Sequence, residues 1–182
     1  MGVKVITPAE QQLTTAELRL NSRADPDETT EDPLFVRWLA RAVRLAEHYT
    51  GRSIGSQTLE LALDAFPDGP IELVRGPVAS ITSITYVDEA GATQTLSASL
   101  YTLDNYSLQC WAIPKFGTQW PATESSANCV KVRYVAGELD EAVMGALFLA
   151  VAFWFENREA SDEDVMNGGV RSLLDTVKVW GL

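Results

Sequence analysis

Apolar positions recur along this chain with two different periods. Between 33 and 50, Phe35, Trp38, Leu39, Ala42, Leu45, Ala46 and Tyr49 return at steps of three and four, the spacing of one helix face. Asp32 stands where an N-cap belongs, Pro33 fits a first turn, and Gly51 supplies the stop. From 56 to 135 the period falls to two. "TLELALD" sets Leu59, Leu61 and Leu63 against Thr58, Glu60 and Asp64, which predicts a half-buried strand. "PIELV" (70–74), "ITSITYV" (81–87), "TQTLSA" (93–98), "LYTLD", "LQCWAI" and "NCVKVRYV" (128–135) continue the series. Asp88-Glu89-Ala90-Gly91 predicts a hairpin turn, and the spacing of Ile81 and Ile84 predicts a bulge. Trp120 is the expected anchor of the long loop over 113–128.

Helical signals flank this block. "TTAELRLNSRAD" (14–25) carries Glu17 at capping-box spacing from its opening threonines and predicts a short helix. "ADPDETTEDP" (24–33) holds five acids and two prolines and reads as a solvated loop. A second helix is expected over 138–158, with Glu138, Asp140 and Glu141 at its positive end. "ASDEDVMNGG" (160–169) reads as a linker, and 170–182 as a last short helix. Residues 1–13 read as an extended arm.

The most apolar run, Ala142 to Phe155, spans fourteen residues. At about 1.5 Å each it reaches roughly 21 Å, short of the ~30 Å a bilayer core demands. A core helix, wrapped on more than one side, is expected in place of a membrane span.

The expected architecture is α+β: a small helical bundle formed by N- and C-terminal helices, with an inserted antiparallel β-domain. Its parts are an N-terminal arm and helices (1–55), the β-domain (56–136), a hub helix (137–160), and a linker with a C-terminal docking helix (161–182).

Charge narrows the function. Fourteen Lys and Arg against 25 Asp and Glu leave a net −11, which disfavours tight nucleic-acid binding. Arg37, Arg41, Arg44 and His48 line the polar side of the 33–50 helix. This stripe is either a solvated face or an intersubunit contact.

Candidate chemistry is sparse. His48 is the single histidine, and no GxSxG accompanies it. Cys110 and Cys129 are too few for a disulfide framework and are expected to be free thiols. No metal or cofactor site is expected, and "NGGVRS" has no phosphate-loop lysine. "MGVKVITPAEQQL" has no secretory h-region, and Ile6 replaces the hydroxyl residue of a myristoylation signal.

Several stretches together resemble the head–tail connector (adaptor) proteins of tailed bacteriophages and prophages. They are the aromatic-Thr-Gly-Arg turn Tyr49–Arg52, the step Pro77–Ile81 and the hairpin Tyr86–Gly91. "YTLD" (101–104), "WP" (120–121), "VKVRYVAG" (130–137), "ENRE" (156–159) and "SLLDTVKVW" (172–180) follow in the family's order. Val177 stands where the family often has an aromatic residue.

The resemblance implies a structural virion protein of the neck, not an enzyme. It implies a ring of about twelve copies beneath the portal protein, lining a DNA channel without sequence-specific binding or membrane contact. The ring would present a surface to a stopper or tail-completion protein. Arg37, Arg41, Arg44, Arg158 and Glu159 are candidate intersubunit residues, the Arg37/Arg41/Arg44 stripe complementing the acidic stretches 25–32 and 159–164 of a neighbour. Val170, Leu173, Leu174, Val177 and Trp180 are candidate portal-docking residues. Whether 169–182 docks or completes the core stays open. A stopper or tail-completion protein is the neighbouring alternative, and a small ligand-binding or enzymatic β-insert domain the remoter one.

Overall fold

The computed structural model describes residues 2–124 and 126–179. Its elements are β1 (Gly2–Thr7), α1 (Thr15–Asn21), α2 (Asp32–Thr50), β2 (Gln57–Leu63), β3 (Ile71–Leu73), β4 (Val78–Val87), β5 (Thr93–Thr95), β6 (Tyr101–Asp104), β7 (Cys110–Pro114), β8 (Val130–Ala136), α3 (Glu141–Glu156), α4 (Asp162–Met166) and α5 (Gly169–Asp175). A 3-10 turn at Ala98–Leu100 precedes β6. The chain divides into a strand unit, the residues up to Glu10 with Gly55–Glu138, and a helical unit, Gln11–Ile54 with the residues from Leu139 on. This is the expected α+β class, each unit having its own core.

The strand unit holds two antiparallel sheets, ordered β1-β2-β8-β4-β5 and β3-β7-β6. Alternation explains the central strand: Val130, Val132 and Tyr134 of β8 are buried while Lys131 and Arg133 face out. Arg133 pairs directly across the strands with Glu60, at 2.6 Å. The parity break at Ile81 and Ile84 coincides with a register shift between Ile81 and Ser83. Asp88 stabilises the β4–β5 turn by accepting from Ala90 N and Ala92 N, with Gly91 at φ 79°. Trp120 anchors its loop by donating to Gly69 O (2.8 Å) and stacking on Phe66 at 5.1 Å.

One expectation is corrected here. The extended arm is strand β1, paired with β2 from Gly2↔Ala62 to Thr7↔Thr58. Its Val3 and Val5 alternate too briefly to declare a partner from sequence.

In the helical unit, small residues let two helices approach closely. Ala42 and Ala46 of α2 and Ala146 and Ala150 of α3 line one apolar seam, closed by Val170 and Leu174 of α5. Phe35, Trp38 and Phe155 pack as an aromatic cluster, with Phe35 stacked on Phe155 at 5.5 Å. The apolar run is a core helix, and among the described residues no helix is long and apolar enough to cross a membrane. Its wrapping is incomplete: Leu149 stays 46% exposed, and Phe153, one turn on, is exposed too.

Two helix boundaries differ from expectation. α2 begins at Asp32 with Glu31 in the cap position and no side-chain cap bond, because Asp32 instead holds Arg19 of α1. The hub helix starts at Glu141, capped by Asp140, whose Oδ1 accepts from Val143 N at 2.9 Å. The linker is also corrected. Residues 162–166 form α4, opened by a capping box between Ser161 and Asp164 and seated by buried Val165.

Candidate functional site

The Tyr49-Thr50-Gly51-Arg52 turn is where the chain leaves α2. Gly51 adopts φ 71°, the left-handed conformation that ends a helix without steric cost. Thr50 Oγ1 donates back to Ala46 O at 2.7 Å. The turn then swings Arg52 into the interior, where it is 3% exposed. Its Nη1 donates to Asp140 Oδ2 at 3.0 Å and to Val177 O at 3.4 Å. Asp140 thus caps α3 with one oxygen and neutralises Arg52 with the other. A buried guanidinium needs such a partner, since an unpaired charge costs several kcal/mol to bury.

The same turn grips the chain's last described segment. Thr50 O accepts from Val179 N at 3.0 Å. Tyr49 donates its hydroxyl to Asp175 and accepts from Arg171 Nε at 3.1 Å. The Asp175 hydrogen bond holds the Tyr49 hydroxyl above its ordinary pKa. Lys178 Nζ lies 4.1 Å over the Tyr49 ring, within cation–π range. Arg52, Asp140 and Asp175 were not singled out as site residues from sequence. The only sequence signal was the turn itself, which says nothing about partners far along the chain.

This geometry bears on the docking residues. Val170 and Leu174 are buried in the helical core, and Leu173 and Val177 are half-buried against it. Of the two readings left open, these four side chains fit the core one, and residues 170–179 pack on the helical unit. Trp180 lies outside the described residues.

The charged stripe separates into two kinds of residue. Arg41 is engaged within its own chain: Nε pairs with Asp162 Oδ1 at 2.6 Å, and the guanidinium stacks 4.3 Å from the buried Trp154 ring. Arg158 pairs with Glu31 at 2.6 Å, also within the chain. The complements expected between subunits, the arginines and the acidic stretches, thus meet inside one subunit at these two positions. Arg37, Arg44, His48 and Glu159 are exposed, with no ion pair among the described residues.

His48 is exposed, and among the described residues no group of three or more His, Cys, Asp or Glu could hold a metal. Both cysteines are free and buried, and burial pushes the Cys110 thiol up. Burial likewise raises the Tyr134 hydroxyl, which donates to Val74 O at 2.8 Å.

No protein-family model matches the sequence, and no curated protein does. Solved structures do. A chain in the neck of an empty GTA particle, computed with C6 symmetry, is similar at TM-score 0.84 and 24% identity, covering 100% of this chain and 97% of that one. A chain of the virion of the native gene transfer agent particle is similar at TM-score 0.82 and 24% identity, with the same coverage. A chain in the neck of the native GTA particle, computed with C12 symmetry, is similar at TM-score 0.73 and 23% identity, covering 100% and 97%. The shared property at these identities is the fold, over all of this chain and 97% of the other.

Proposed function

We propose that this chain is a structural component of the neck of a phage-like particle, where copies form a ring between the portal protein and the next head-completion or tail protein. The observation that carries the reading is the end-to-end likeness to a chain of the GTA neck, at TM-score 0.84. A likeness spanning both units argues for a shared architecture rather than one borrowed domain. The adaptor position is favoured over the stopper by the ordered series of connector-like stretches from the Tyr49–Arg52 turn to residues 172–180.

Physical chemistry supports the role. A channel carrying DNA must not adsorb phosphate, and a net charge of −11 repels it. Ring contacts are heterologous, so two different patches of one subunit must match. Arg37 and Arg44 form one candidate patch, with the exposed Glu159 on its complement. Arg41 and Arg158 also pair within their own subunit, with Asp162 and Glu31. Trp180 is kept as the portal-docking candidate.

The test is the double variant Arg37→Glu, Arg44→Glu in the producing cell. The reading expects normal thermal stability of the purified chain and at least a tenfold drop, about 1.4 kcal/mol, in its incorporation into particles. Full incorporation with intact necks would remove this interface from the account.

A further inference from the structure

We propose that neighbouring copies in the ring are joined by Tyr106 of one subunit, seated in the aromatic–proline cleft of the next; this rests on the ring reading above. Tyr106 tips the β6–β7 hairpin and is 101% exposed. Its loop is not loose. Asn105 Nδ2 donates to Val78 O at 3.0 Å, Tyr106 N donates to Asp104 Oδ1 at 3.3 Å, and Ser107 Oγ donates to Gln109 O at 2.6 Å. An aromatic side chain held out on a pinned loop loses little entropy on binding. No partner for its ring or hydroxyl exists among the described residues.

The receptor is at the far end of the same hairpin. A cleft of about 520 Å³ opens there, lined by Phe66, Pro67, Asp68, Pro114, Trp120 and Pro121. The stacked pair of Phe66 and Trp120, 7° from parallel, gives the lining a flat aromatic component. Rings and prolines suit an aromatic guest, and Asp68 offers an acceptor for a phenolic hydroxyl. Five residues of β7 separate the two ends, roughly 17 Å at about 3.3 Å per residue. Knob and cleft therefore belong to different patches, as a repeating head-to-tail contact requires.

Charge points to a second copy as the guest. Residues 105–109 carry no charged side chain, and Asp68 is the one acid lining the cleft, in a chain of net −11. These are surfaces on which two strongly acidic copies can meet without much repulsion. A seated tyrosine would remove on the order of 150–250 Å² from water.

The test pairs Tyr106→Cys with Gln119→Cys, an exposed residue of the cleft lining, in one chain. The native thiols are buried, so background crosslinking is low. Particles carrying the double variant are oxidised mildly and run on a non-reducing gel. The expected result is a ladder of multimers that neither single variant gives. Incorporation at normal copy number without a ladder overturns this contact and leaves the ring reading standing. Absence of the wild-type chain from particles overturns the ring reading, and this contact with it. Separately, Tyr106→Ala is expected to lower incorporation at least tenfold while Tyr106→Phe retains most of it; equal incorporation of both overturns the contact.

Discussion

Arg52 is the most buried charged residue among those described, and its role is to tie distant pieces of chain together. It contacts Asp140, 88 positions away, and the Val177 carbonyl, 125 away. Replacing it with alanine leaves Asp140 facing a void, with a carbonyl unpaired. Because Asp140 is partly exposed, the lower end of the buried-pair range applies, and Arg52→Ala is expected to cost about 3 kcal/mol in urea unfolding of the helical unit. Asp140→Asn keeps a capping oxygen but leaves the more deeply buried Arg52 guanidinium without its carboxylate, and is expected to cost at least as much, about 3–5 kcal/mol. Losses below about 0.5 kcal/mol in both variants would mean that the ion pair adds nothing beyond the cap, which both retain. At the start of α4, Ser161 lowers the pKa of Asp164 below its ordinary 3.8 through side-chain and backbone hydrogen bonds. A depressed folded pKa contributes stability above the unfolded value and loses it as pH falls through the folded one. The α4 amides should therefore lose exchange protection below about pH 4, and Ser161→Ala should move the Asp164 titration, followed by carboxyl NMR, upward but not fully back, since the backbone N of residue 161 still donates.

At the scale of elements, α5 fills the seam between α2 and α3, with Leu174 fully buried and Val170 nearly so. Leu174→Ala is expected to cost about 2–4 kcal/mol. Removing 169–182 exposes the alanine seam, so the truncated chain is expected to lose cooperative unfolding of the helical unit. A truncated chain with unchanged stability would instead make the segment a detachable docking tail. These elements also show what could be read in advance. α2, β2 and β8 were legible because each keeps one period long enough to define a buried face. The bulge in β4 was legible because a parity break has few other causes. α4 was missed although Ser161 and Asp164 spell a capping box, because three consecutive acids read as a solvated loop. The partners of Arg41 and Arg158 were missed for a different reason. Sequence shows which charges exist, whereas ion pairs between residues 121 and 127 positions apart are fixed only by folding. The exposed Leu149 and Phe153 were hidden by the uniform apolarity of α3, which gives no period from which to read an outer face.

For the whole molecule, the central claim is a place in a particle, and three features bear on it. The fold follows a GTA neck chain over the full length. The net charge of −11 suits the wall of a DNA channel. Exposed aromatics, among them Tyr106 and Phe116 at 101% and 107% exposure, and the exposed Arg37 and Arg44, which have no ion pair among the described residues, lie open to water on a solitary chain. Contacts that rely on Arg37 and Arg44 should weaken with salt, since exposed charges are screened beyond about 8 Å at physiological ionic strength. Incorporation that depends on Tyr106 should not. The most direct measurement is electron microscopy of particles from cells producing this chain with a small density tag on an exposed loop. The account predicts tag density at the neck, repeated symmetrically around the channel axis between portal and tail. Tag density on the capsid shell or tail tip, or tagged chain absent from intact particles, would contradict it.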